Sequence, residues 1–338
     1  MVKVVINGFG RIGRAAFKIA FERRDVEIVA INDPNNIEAL AQLLQFDSSY
    51  GIYNRQVTYD THNLIIDGRI IPCFHERDPL NLPWKKLGVD VVMECSGHLN
   101  EPDQAKKHIK AGARKVVLSA PAKKDPKNTV KTVVIGVNED TIKDKDILIS
   151  NASCTTNCIA PVMKVLEDTL GVEKALMTTV HSYTASQKLQ DGPAKDLRES
   201  RAAAENIIPT TTGASKSAAL TIPSLKGKFD GLSIRVPTPV VSLADITAVV
   251  KKKTTITELN NIFKKAAAEP YYQGILDVTE RELVSCDFRG DSHSSIVDLP
   301  LTNVVGGNLI KIVAWYDNEW GYSNRLVELA VDFGKENS

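Results

Sequence analysis

A glycine-rich turn between a short apolar strand and a helix constrains the fold of this chain more than any other feature. Gly8-Phe9-Gly10-Arg11-Ile12-Gly13 follows the strand-like Val4-Val5-Ile6 and opens a helical pattern over Arg11 to Arg23. A second strand-like run, Glu27 to Ile31, comes next, and Asp33 stands just beyond it, twenty residues after the last glycine. This order of strand, glycine turn, helix, strand and acidic residue predicts a parallel βαβ unit that binds a dinucleotide.

Each glycine of the turn has a physical reason. Gly8 permits the tight turn, Gly10 lets the backbone approach a pyrophosphate at the helix N-terminus, and Gly13 allows close packing of helix on strand. Asp33 can accept hydrogen bonds from the adenine ribose hydroxyls, and its charge repels a 2′-phosphate, so the pattern favours NAD over NADP. The alternative is that the glycines serve only as a tight connection.

A second constraint is Ser153-Cys154-Thr155-Thr156-Asn157, which follows the apolar run Ile147-Leu148-Ile149. Apolar residues at helical spacing continue to Leu166, so Cys154 is predicted where a strand gives way to a helix N-terminus. The unpaired amides and the dipole at that end favour an anion and lower the pKa of a thiol. Cys154 is therefore a candidate nucleophile, and the alternative is a buried cysteine that acts as a small hydrophobe.

Length and composition are typical of a globular protein with two domains. The chain has 338 residues, 43% of them hydrophobic and 25% charged, and a formal net charge of +1. That balance does not favour nucleic acid or a membrane as the main partner, and the lysine runs Lys123-Lys124 and Lys251-Lys252-Lys253 are interpreted as solvated faces. Five cysteines without the paired spacing of a zinc site predict reduced thiols and no metal. Without a signal peptide or an apolar run of about 18 residues, a cytoplasmic protein is expected.

The order of predicted elements changes at Cys154. Before it, strands and helices alternate, which predicts an α/β domain with a parallel sheet. Residues 48 to 72 have the alternation and turn residues of an inserted hairpin. After it, long strands predict a mostly antiparallel sheet, with helices over 154–170 and 257–268, a polar segment of weak periodicity over 183–206, and a last helix over Tyr322 to Phe333.

Six sequence blocks together resemble the phosphorylating glyceraldehyde-3-phosphate dehydrogenases, and they span nearly the whole chain in that family's order. They are Asn7 to Arg14 (NGFGRIGR), Ser150 to Cys158 (SNASCTTNC), Thr179 to Thr184 (TVHSYT), Ala202 to Gly213 (AAAENIIPTTTG), Arg235 to Pro239 (RVPTP) and Trp315 to Tyr322 (WYDNEWGY). The resemblance implies a Rossmann dinucleotide-binding domain over residues 1–152, completed by a C-terminal helix over 318–338. It also implies an α/β catalytic domain over 153–317 with a mostly antiparallel sheet, NAD as cofactor, and a homotetramer in which 183–206 packs against a neighbour's cofactor site.

The resemblance further implies glyceraldehyde 3-phosphate and inorganic phosphate as substrates. Cys154 attacks the aldehyde to give a thiohemiacetal, and His181 lowers the thiol pKa and takes the hydroxyl proton as hydride leaves for the nicotinamide. Inorganic phosphate then attacks the resulting thioester and releases 1,3-bisphosphoglycerate. For His181 taken alone, the alternative is a purely structural histidine at the end of a strand.

The same resemblance assigns the remaining site residues. Thr184 and Arg235 hold the substrate phosphate, whereas Ser153, Thr155, Thr212 and Gly213 frame the attacking phosphate and the reacting carbon. For Arg235 the alternative is a structural salt bridge, and Thr210 to Gly213 can also cap the helix that starts at Ala214. The residues assigned to the cofactor are Gly8, Gly10, Arg11, Ile12, Gly13, Asp33, Arg77, Ser119, Asn318 and Tyr322, with Asn318 fixing the carboxamide and Tyr322 backing the ring.

A few positions depart from the family pattern, and one supports it. Ser186 stands where many bacterial relatives carry an aspartate, Glu199 replaces the second of two arginines, and His98 lies in a stretch that is more aromatic elsewhere. Pro193 matches a position that crowds the adenine ribose in NAD-specific members. Erythrose-4-phosphate dehydrogenase and a hydrolytic aldehyde dehydrogenase remain alternatives, although Thr211-Thr212-Gly213 favours phosphate as the nucleophile. A binding-only role is a third alternative, which the retained Cys154 and His181 disfavour.

Overall fold

The computed structural model describes residues 1–123, 125–126 and 129–335, so Lys124 and the last three residues of the predicted 318–338 helix lie outside the described chain. The fold divides into two compact units. The first unit comprises Met1–Val133, Asp140–Ala152 and the C-terminal stretch from Ser323 onward. The second comprises Val134–Glu139 and Ser153–Tyr322.

The first unit is built on a sheet of nine strands in the order β10-β11-β9-β8-β1-β2-β7-β6-β5. From β10 to β7 every neighbouring pair is parallel, which confirms the predicted Rossmann-type domain. The central strand is almost wholly buried and apolar, as expected for a strand covered on both faces. Its strands are β1 (Val2–Asn7), β2 (Val26–Asn32), β5 (Val57–Tyr59), β6 (Asn63–Ile66), β7 (Arg69–Phe74), β8 (Val91–Glu94), β9 (Lys115–Leu118), β10 (Lys131–Thr132) and β11 (Leu148–Ser150).

The predicted hairpin insertion is confirmed as the antiparallel run β5-β6-β7. Ile66 pairs with Arg69, so only Asp67 and Gly68 form the connection, with φ values of 49° and 82°. Two consecutive residues with positive φ make the tight turn whose twist matches that of paired strands. A separate two-stranded ribbon, β3 (Phe46–Asp47) with β4 (Gly51–Ile52), precedes it.

Helices of the first unit begin and end at recognisable signals. Asn36 accepts a hydrogen bond from the Ala39 amide and caps the second helix, and Gly88 in the left-handed conformation ends the third. The helical pattern of Gln104 to Ala111 predicts one continuous helix, and this prediction is wrong, because two single turns with a break at Lys106 occupy that stretch. These helices are α1 (Arg11–Phe21), α2 (Ile37–Gln45), α3 (Trp84–Leu87), α4 (Pro102–Ala105) and α5 (Lys107–Lys110).

The second unit contains a sheet in the order β13-β14-β12-β15-β19-β17-β16, with β18 also paired to β19. Five of its pairings are antiparallel and two, β12 with β14 and β16 with β17, are parallel, which confirms a mostly antiparallel sheet. The strands are β12 (Val172–Ser182), β13 (Ile208–Thr211), β14 (Phe229–Val236), β15 (Ser242–Val250), β16 (Leu276–Thr279), β17 (Ser295–Asp298), β18 (Asn303–Val305) and β19 (Leu309–Tyr316).

Its helices are α6 (Cys154–Thr169), α7 (Ala214–Thr221) and α8 (Ile256–Ala268), and α9 (Trp320–Gly334) starts in this unit. A capping box between Thr255 and Glu258 starts α8. The segment 183–206 is irregular as predicted, with one 3-10 turn at Arg198–Ser200 and an isolated bridge between Lys188 and Ala202. Among the described residues, no helix is long and apolar enough to cross a membrane.

Candidate active site

Cys154 is the first residue of α6, and its thiol faces His181. Ser153 caps the helix, because its hydroxyl accepts a hydrogen bond from the Thr156 amide at 3.1 Å. Cys154 Sγ lies 3.5 Å from His181 Nε2. The histidine is the penultimate residue of β12, where the parallel pairing with β14 sets it opposite Arg235. The structure thus brings together three residues that the sequence analysis assigned to the chemistry.

Arg235 contacts the far side of the same imidazole. Its Nη1 lies 2.6 Å from His181 Nδ1 and 3.2 Å from the carbonyl oxygen of Ser182, which itself is 2.7 Å from Nδ1. If Nδ1 donates its proton to the carbonyl, Nε2 is free to accept the thiol proton. If Arg235 donates to Nδ1, the proton belongs on Nε2 instead. The tautomer of His181 therefore depends on where the guanidinium is engaged.

Burial controls the charge state of the pair. It lowers the pKa of His181 to about 3, and the nearby charge of Arg235 acts in the same direction. Burial also raises the pKa of the Cys154 thiol, opposed by Arg235 and by hydrogen bonds from Thr155 and the helix amides. The expectation that the helix end and His181 lower the thiol pKa is therefore not met, because desolvation outweighs the lowering by Arg235, Thr155 and the helix amides. The resting pair is a neutral thiol beside a neutral imidazole that can act as a base.

Tyr316 packs against His181 and is hydrogen-bonded to the residue that follows Cys154. The sequence analysis did not predict it as a site residue. Its hydroxyl is hydrogen-bonded to the hydroxyls of Thr155 at 2.9 Å and Thr179 at 2.8 Å, and its ring packs edge-on to His181. The Thr155 side chain is thus held inside the fold, which leaves mainly its backbone amide for an anion. The sequence around Tyr316 is an alternating apolar strand that ends in tyrosine. Such a pattern does not predict a hydrogen bond to Thr155, which is 161 residues away.

Two buried donors mark a place for an anion near the ends of β12 and β14. Arg235 Nε and Gln187 Nε2 have no hydrogen-bond partner within the described part of the chain. Gln187 Oε1 instead accepts from the Thr184 amide and hydroxyl, both at 2.9 Å, and Ser186 Oγ lies 2.9 Å from that hydroxyl. Buried donors without partners are costly, so they indicate a bound acceptor such as a phosphate. Gln187 was not predicted as a site residue.

The segment Thr210 to Gly213 leads directly into α7. The Thr212 hydroxyl accepts a hydrogen bond from the Ala214 amide at 3.1 Å, so the cap suggested by the sequence is present only in part, because the N-cap residue itself is Gly213. Gly213 has no side chain to cap the other amides of the first turn. Glu199 Oε1 accepts from the Thr210 hydroxyl at 2.9 Å, which gives this departure from the family pattern a structural partner.

The first unit contains a cleft of about 340 Å³ at the glycine turn. A Cβ on Gly8 would lie 2.4 Å from the Ser96 amide nitrogen, and one on Gly13 would lie 2.1 Å from the Gly8 carbonyl oxygen. A Cβ on Gly10 would meet nothing within 4 Å, so Gly10 keeps the approach to the α1 N-terminus open. The cleft is lined by Asn7, Gly8, Gly10, Asn32, Asp33, Pro34, Asn35, Glu76, Arg77, Cys95, Ser96, His98 and Leu99.

Asp33 stands at the end of β2 with its carboxylate turned back to the glycine turn. Its Oδ2 accepts from the Phe9 amide at 2.7 Å, and its Oδ1 accepts from the Asn35 backbone and side chain. Oδ1 thus has both lone pairs engaged, whereas Oδ2 retains one for a further donor such as a ribose hydroxyl. The N-terminus of α1 has no side-chain cap, which leaves amides for a pyrophosphate. These residues fit a dinucleotide.

The other predicted cofactor residues occupy varied positions. The Arg11 guanidinium is bound by Asp47 at 3.1 and 3.3 Å, so its side chain has an acidic partner, and Ile12 follows it in α1. The Ser119 amide donates to the Glu94 carbonyl just beyond β9. In the second unit, Asn318 and Tyr322 are both buried, at 5% and 4% exposure.

A dinucleotide cleft with an acidic residue at the end of β2 defines an NAD-dependent oxidoreductase, and a helix-terminal cysteine beside a buried histidine offers it a candidate thiol nucleophile. Residues 2–102 match the NAD binding domain of glyceraldehyde 3-phosphate dehydrogenase, and residues 153–318 match the C-terminal domain of the same enzyme. The chain therefore belongs to the glyceraldehyde-3-phosphate dehydrogenase family, as the sequence blocks predicted.

Curated relatives agree over the whole length. The glyceraldehyde-3-phosphate dehydrogenase of Zymomonas mobilis is 51% identical over 336 residues, 99% of each chain. That of Geobacillus stearothermophilus is 50% identical over 97% of each chain, and that of Borreliella burgdorferi is 50% identical over 97% of this chain and 98% of its own. NAD is accordingly the cofactor of this chain.

Proposed function

We propose that this chain catalyses the oxidation of glyceraldehyde 3-phosphate to 1,3-bisphosphoglycerate, with NAD as hydride acceptor and inorganic phosphate as co-substrate. The observation that carries the proposal is the 3.5 Å contact of Cys154 Sγ with His181 Nε2, beside the unpartnered Nε of Arg235. The thiol supplies a nucleophile, the imidazole supplies a base, and the guanidinium supplies an anion site.

In the first step Cys154 Sγ bonds to the aldehyde carbon while its proton passes to His181 Nε2. Because burial keeps the imidazole neutral, Nε2 has a lone pair for this proton whenever Nδ1 donates to the Ser182 carbonyl. His181 Nε2 then returns this proton to the carbonyl oxygen of the substrate, which becomes a hydroxyl, so the product is a thiohemiacetal beside a neutral imidazole. Phosphate on Arg235 draws the guanidinium away from Nδ1 and so favours the tautomer that accepts the proton.

Bound NAD supplies the acceptor for the hydride of the thiohemiacetal carbon. Loss of this hydride and of the hydroxyl proton converts the thiohemiacetal into a thioester. His181 takes the hydroxyl proton during this oxidation. An oxygen of inorganic phosphate then attacks the thioester carbon, the C–S bond breaks, and Cys154 recovers a proton through His181. The acyl phosphate that leaves retains the energy of the oxidation.

Two anion sites serve these steps. Thr184 and Arg235 hold the substrate phosphate, and the buried Gln187 Nε2 adds a donor beside Thr184. Ser153, the Thr155 amide, Thr212 and Gly213 frame the attacking phosphate, since they lie at the uncapped or partly capped starts of α6 and α7. The Glu199 carboxylate accepts a hydrogen bond from the Thr210 hydroxyl, next to the residues that frame the attacking phosphate.

Most of the cofactor residues lie in the first unit, whereas Asn318 and Tyr322 belong to the second. Gly8, Gly10 and Gly13, with the amides of Arg11 and Ile12, receive the pyrophosphate, and Asp33 receives the ribose hydroxyls. Arg77 and Ser119 lie along the adenosine side, while Asn318 and Tyr322 receive the nicotinamide. The negative charge of Asp33 favours NAD over NADP.

At the level of organisation, residues 1–152 with the C-terminal helix form the NAD-binding domain, and residues 153–317 form the catalytic domain. The functional protein is a homotetramer in the cytoplasm. The exposed apolar side chains Leu189 and Leu197 in the segment 183–206 support assembly, because each is more than four-fifths exposed in the single chain.

The test is NADH formation from glyceraldehyde 3-phosphate and NAD, with and without inorganic phosphate, in the wild type and in Cys154→Ser. Cys158→Ser is the matched control, since Cys158 is a buried thiol one helical turn further along α6. Phosphate-dependent turnover that is lost only in Cys154→Ser supports the proposal. Turnover that is indifferent to phosphate or faster with erythrose 4-phosphate contradicts it, and binding of NAD without turnover of either aldehyde favours a binding role.

A further inference from the structure

Three strand ends of the second unit meet at the side chain of Asn318. The last residue of β12, Ser182, and the first residue of β15, Ser242, are brought together by antiparallel pairing of these strands. Ser242 pairs with Tyr316, the last residue of β19, so the chain just after β19 reaches the same place. Asn318 lies there, two residues beyond the strand.

Both serine hydroxyls donate to the same oxygen of that asparagine. Ser182 Oγ lies 2.8 Å and Ser242 Oγ 3.1 Å from Asn318 Oδ1. Ser242 Oγ is also the acceptor for the Ser182 amide at 3.1 Å, so its own hydrogen is left to donate. With the amide reversed, Nδ2 would face both hydroxyls and neither would have Oδ1 as acceptor. The network therefore orients the amide with Nδ2 pointing away from the serines.

The local backbone is built to hold this arrangement. Val241, a buried residue next to Ser242, has a φ of 71°, a left-handed conformation that is strained for a β-branched residue. On the other side, Asp317 accepts from the amides of Glu319, Trp320 and Gly290, which fixes the turn that carries Asn318. Strain that is maintained beside a polar network indicates that the position of Ser242 matters.

We propose that Ser182 and Ser242 are positioning residues, which hold Asn318 so that its amide nitrogen donates to a carbonyl oxygen on the nicotinamide ring. The inference rests on the proposed function, because it needs the nicotinamide at Asn318. It adds a selection rule: this part of the site recognises a hydrogen-bond acceptor on the ring and discriminates against a donor. Ser182 also carries the carbonyl that contacts His181 Nδ1, so one residue serves both the base and the amide.

The orientation is tested with two cofactor analogues, measured by binding alone. The 3-acetylpyridine analogue of NAD retains a carbonyl oxygen, whereas the 3-aminopyridine analogue presents a donor. The wild type should bind the acetyl analogue more tightly than the amino analogue. Equal affinities, or a preference for the amino analogue, would overturn the proposed orientation.

The role of the serines is tested with Ser182→Ala, Ser242→Ala and the double variant, titrated calorimetrically with NAD and with ADP-ribose, which lacks the ring. Loss of the hydroxyls should weaken NAD binding about 5- to 30-fold, as expected for one or two hydrogen bonds, and abolish the preference for the acetyl analogue. Affinity for ADP-ribose should be unchanged. Ser233→Ala is the control, because Ser233 is buried in the same sheet and its hydroxyl has no partner among the described residues.

The possible failures are distinguishable. A wild type that binds neither NAD nor ADP-ribose overturns the proposed function together with this inference. A double variant that keeps both the NAD affinity and the acetyl preference of the wild type overturns the inference alone. If the double variant also loses ADP-ribose, the fold is damaged and the single variants decide: each must weaken NAD selectively, or the inference is wrong.

Discussion

Among single residues, Arg235 has the largest influence on the reacting pair. Its guanidinium contacts the base from the side opposite the thiol, and its charge lowers the pKa of both His181 and Cys154. The two effects have different consequences. A lower thiol pKa increases the fraction of thiolate, whereas a lower imidazole pKa keeps the base neutral and ready to accept a proton. One cation thus prepares both partners as well as an anion site.

Replacing this cation should move the pH dependence of the thiol. In Arg235→Leu, loss of the positive charge raises the pKa of Cys154, so less thiolate is present at any given pH. The rate of alkylation by iodoacetamide, a neutral reagent, should therefore rise at higher pH than in the wild type. Lys264→Leu removes a surface cation on α8 as a control. A profile that does not move, or that moves to lower pH, would show that Arg235 does not set the pKa of Cys154.

Among the elements, the start of α1 shows how adjacent glycines can serve different purposes. Gly13 lies where helix and strand are in close contact, and Gly10 lies where the backbone faces the cleft. Near them, a buried chain of hydrogen bonds runs from Trp84 through His108 to Glu94. Glu94 also accepts from Asn7, which lines the cleft, so the strand ends and the cofactor site share one polar network.

The two glycines should respond differently to alanine. In Gly13→Ala the new methyl group would meet the Gly8 carbonyl oxygen at 2.1 Å, so the protein should lose about 1–3 kcal/mol of stability to overpacking. In Gly10→Ala the methyl group meets no protein atom, and stability should hardly change. NAD affinity should nevertheless fall on the order of tenfold, because the methyl group occupies the approach to the helix amides. Thermal unfolding and NAD titration of both variants measure this, and an unstable Gly10→Ala with normal affinity would contradict it.

For the whole molecule, the chain is organised as two sheets with separate tasks. The parallel sheet of the first unit carries the dinucleotide cleft, whereas the second unit holds Cys154 at the start of α6 and holds His181 and Arg235 on neighbouring strands of its sheet. The irregular segment 183–206 leaves Leu189 and Leu197 at 82% and 84% exposure, which is unfavourable for a chain that acts alone. These two side chains are therefore the candidates for a contact between copies of the chain.

A homotetramer should have about four times the single-chain mass of 37.0 kDa in light scattering. Replacing both leucines in Leu189→Lys/Leu197→Lys should reduce that mass, because charged side chains would have to be buried on assembly. Val284→Lys is a control, since Val284 is exposed but lies outside the segment. A tetramer that persists in the double variant would place the assembly surface elsewhere, and a monomeric wild type would contradict the tetramer itself.

Much of the fold follows from local pattern. The glycine turn, the helix that starts at Cys154 and the helix over 257–268 were predicted with bounds close to those observed, because periodicity and capping act over a few residues. The helix over 104–111 was predicted wrongly, because two single turns share one helical pattern and only packing separates them. Helices of a single turn and strands of two residues are too short to show a hydrophobic period, so the sequence does not predict them.

The sequence by itself determined the class of fold, the dinucleotide turn and the family, since each rests on contiguous residues whose chemistry is local, and it predicts Cys154 as the nucleophile. Only the tertiary structure decided that the guanidinium of Arg235 contacts the imidazole Nδ1 of His181, a residue 54 positions away. It also decided that the hydroxyls of Tyr316 and Thr155 are hydrogen-bonded. The contacts of Ser182 and Ser242 with Asn318, over 136 and 76 residues, likewise depend on the tertiary structure. Strand pairing creates these contacts, and burial then reverses the expected shift in the pKa of Cys154, because desolvation depends on everything packed around the thiol.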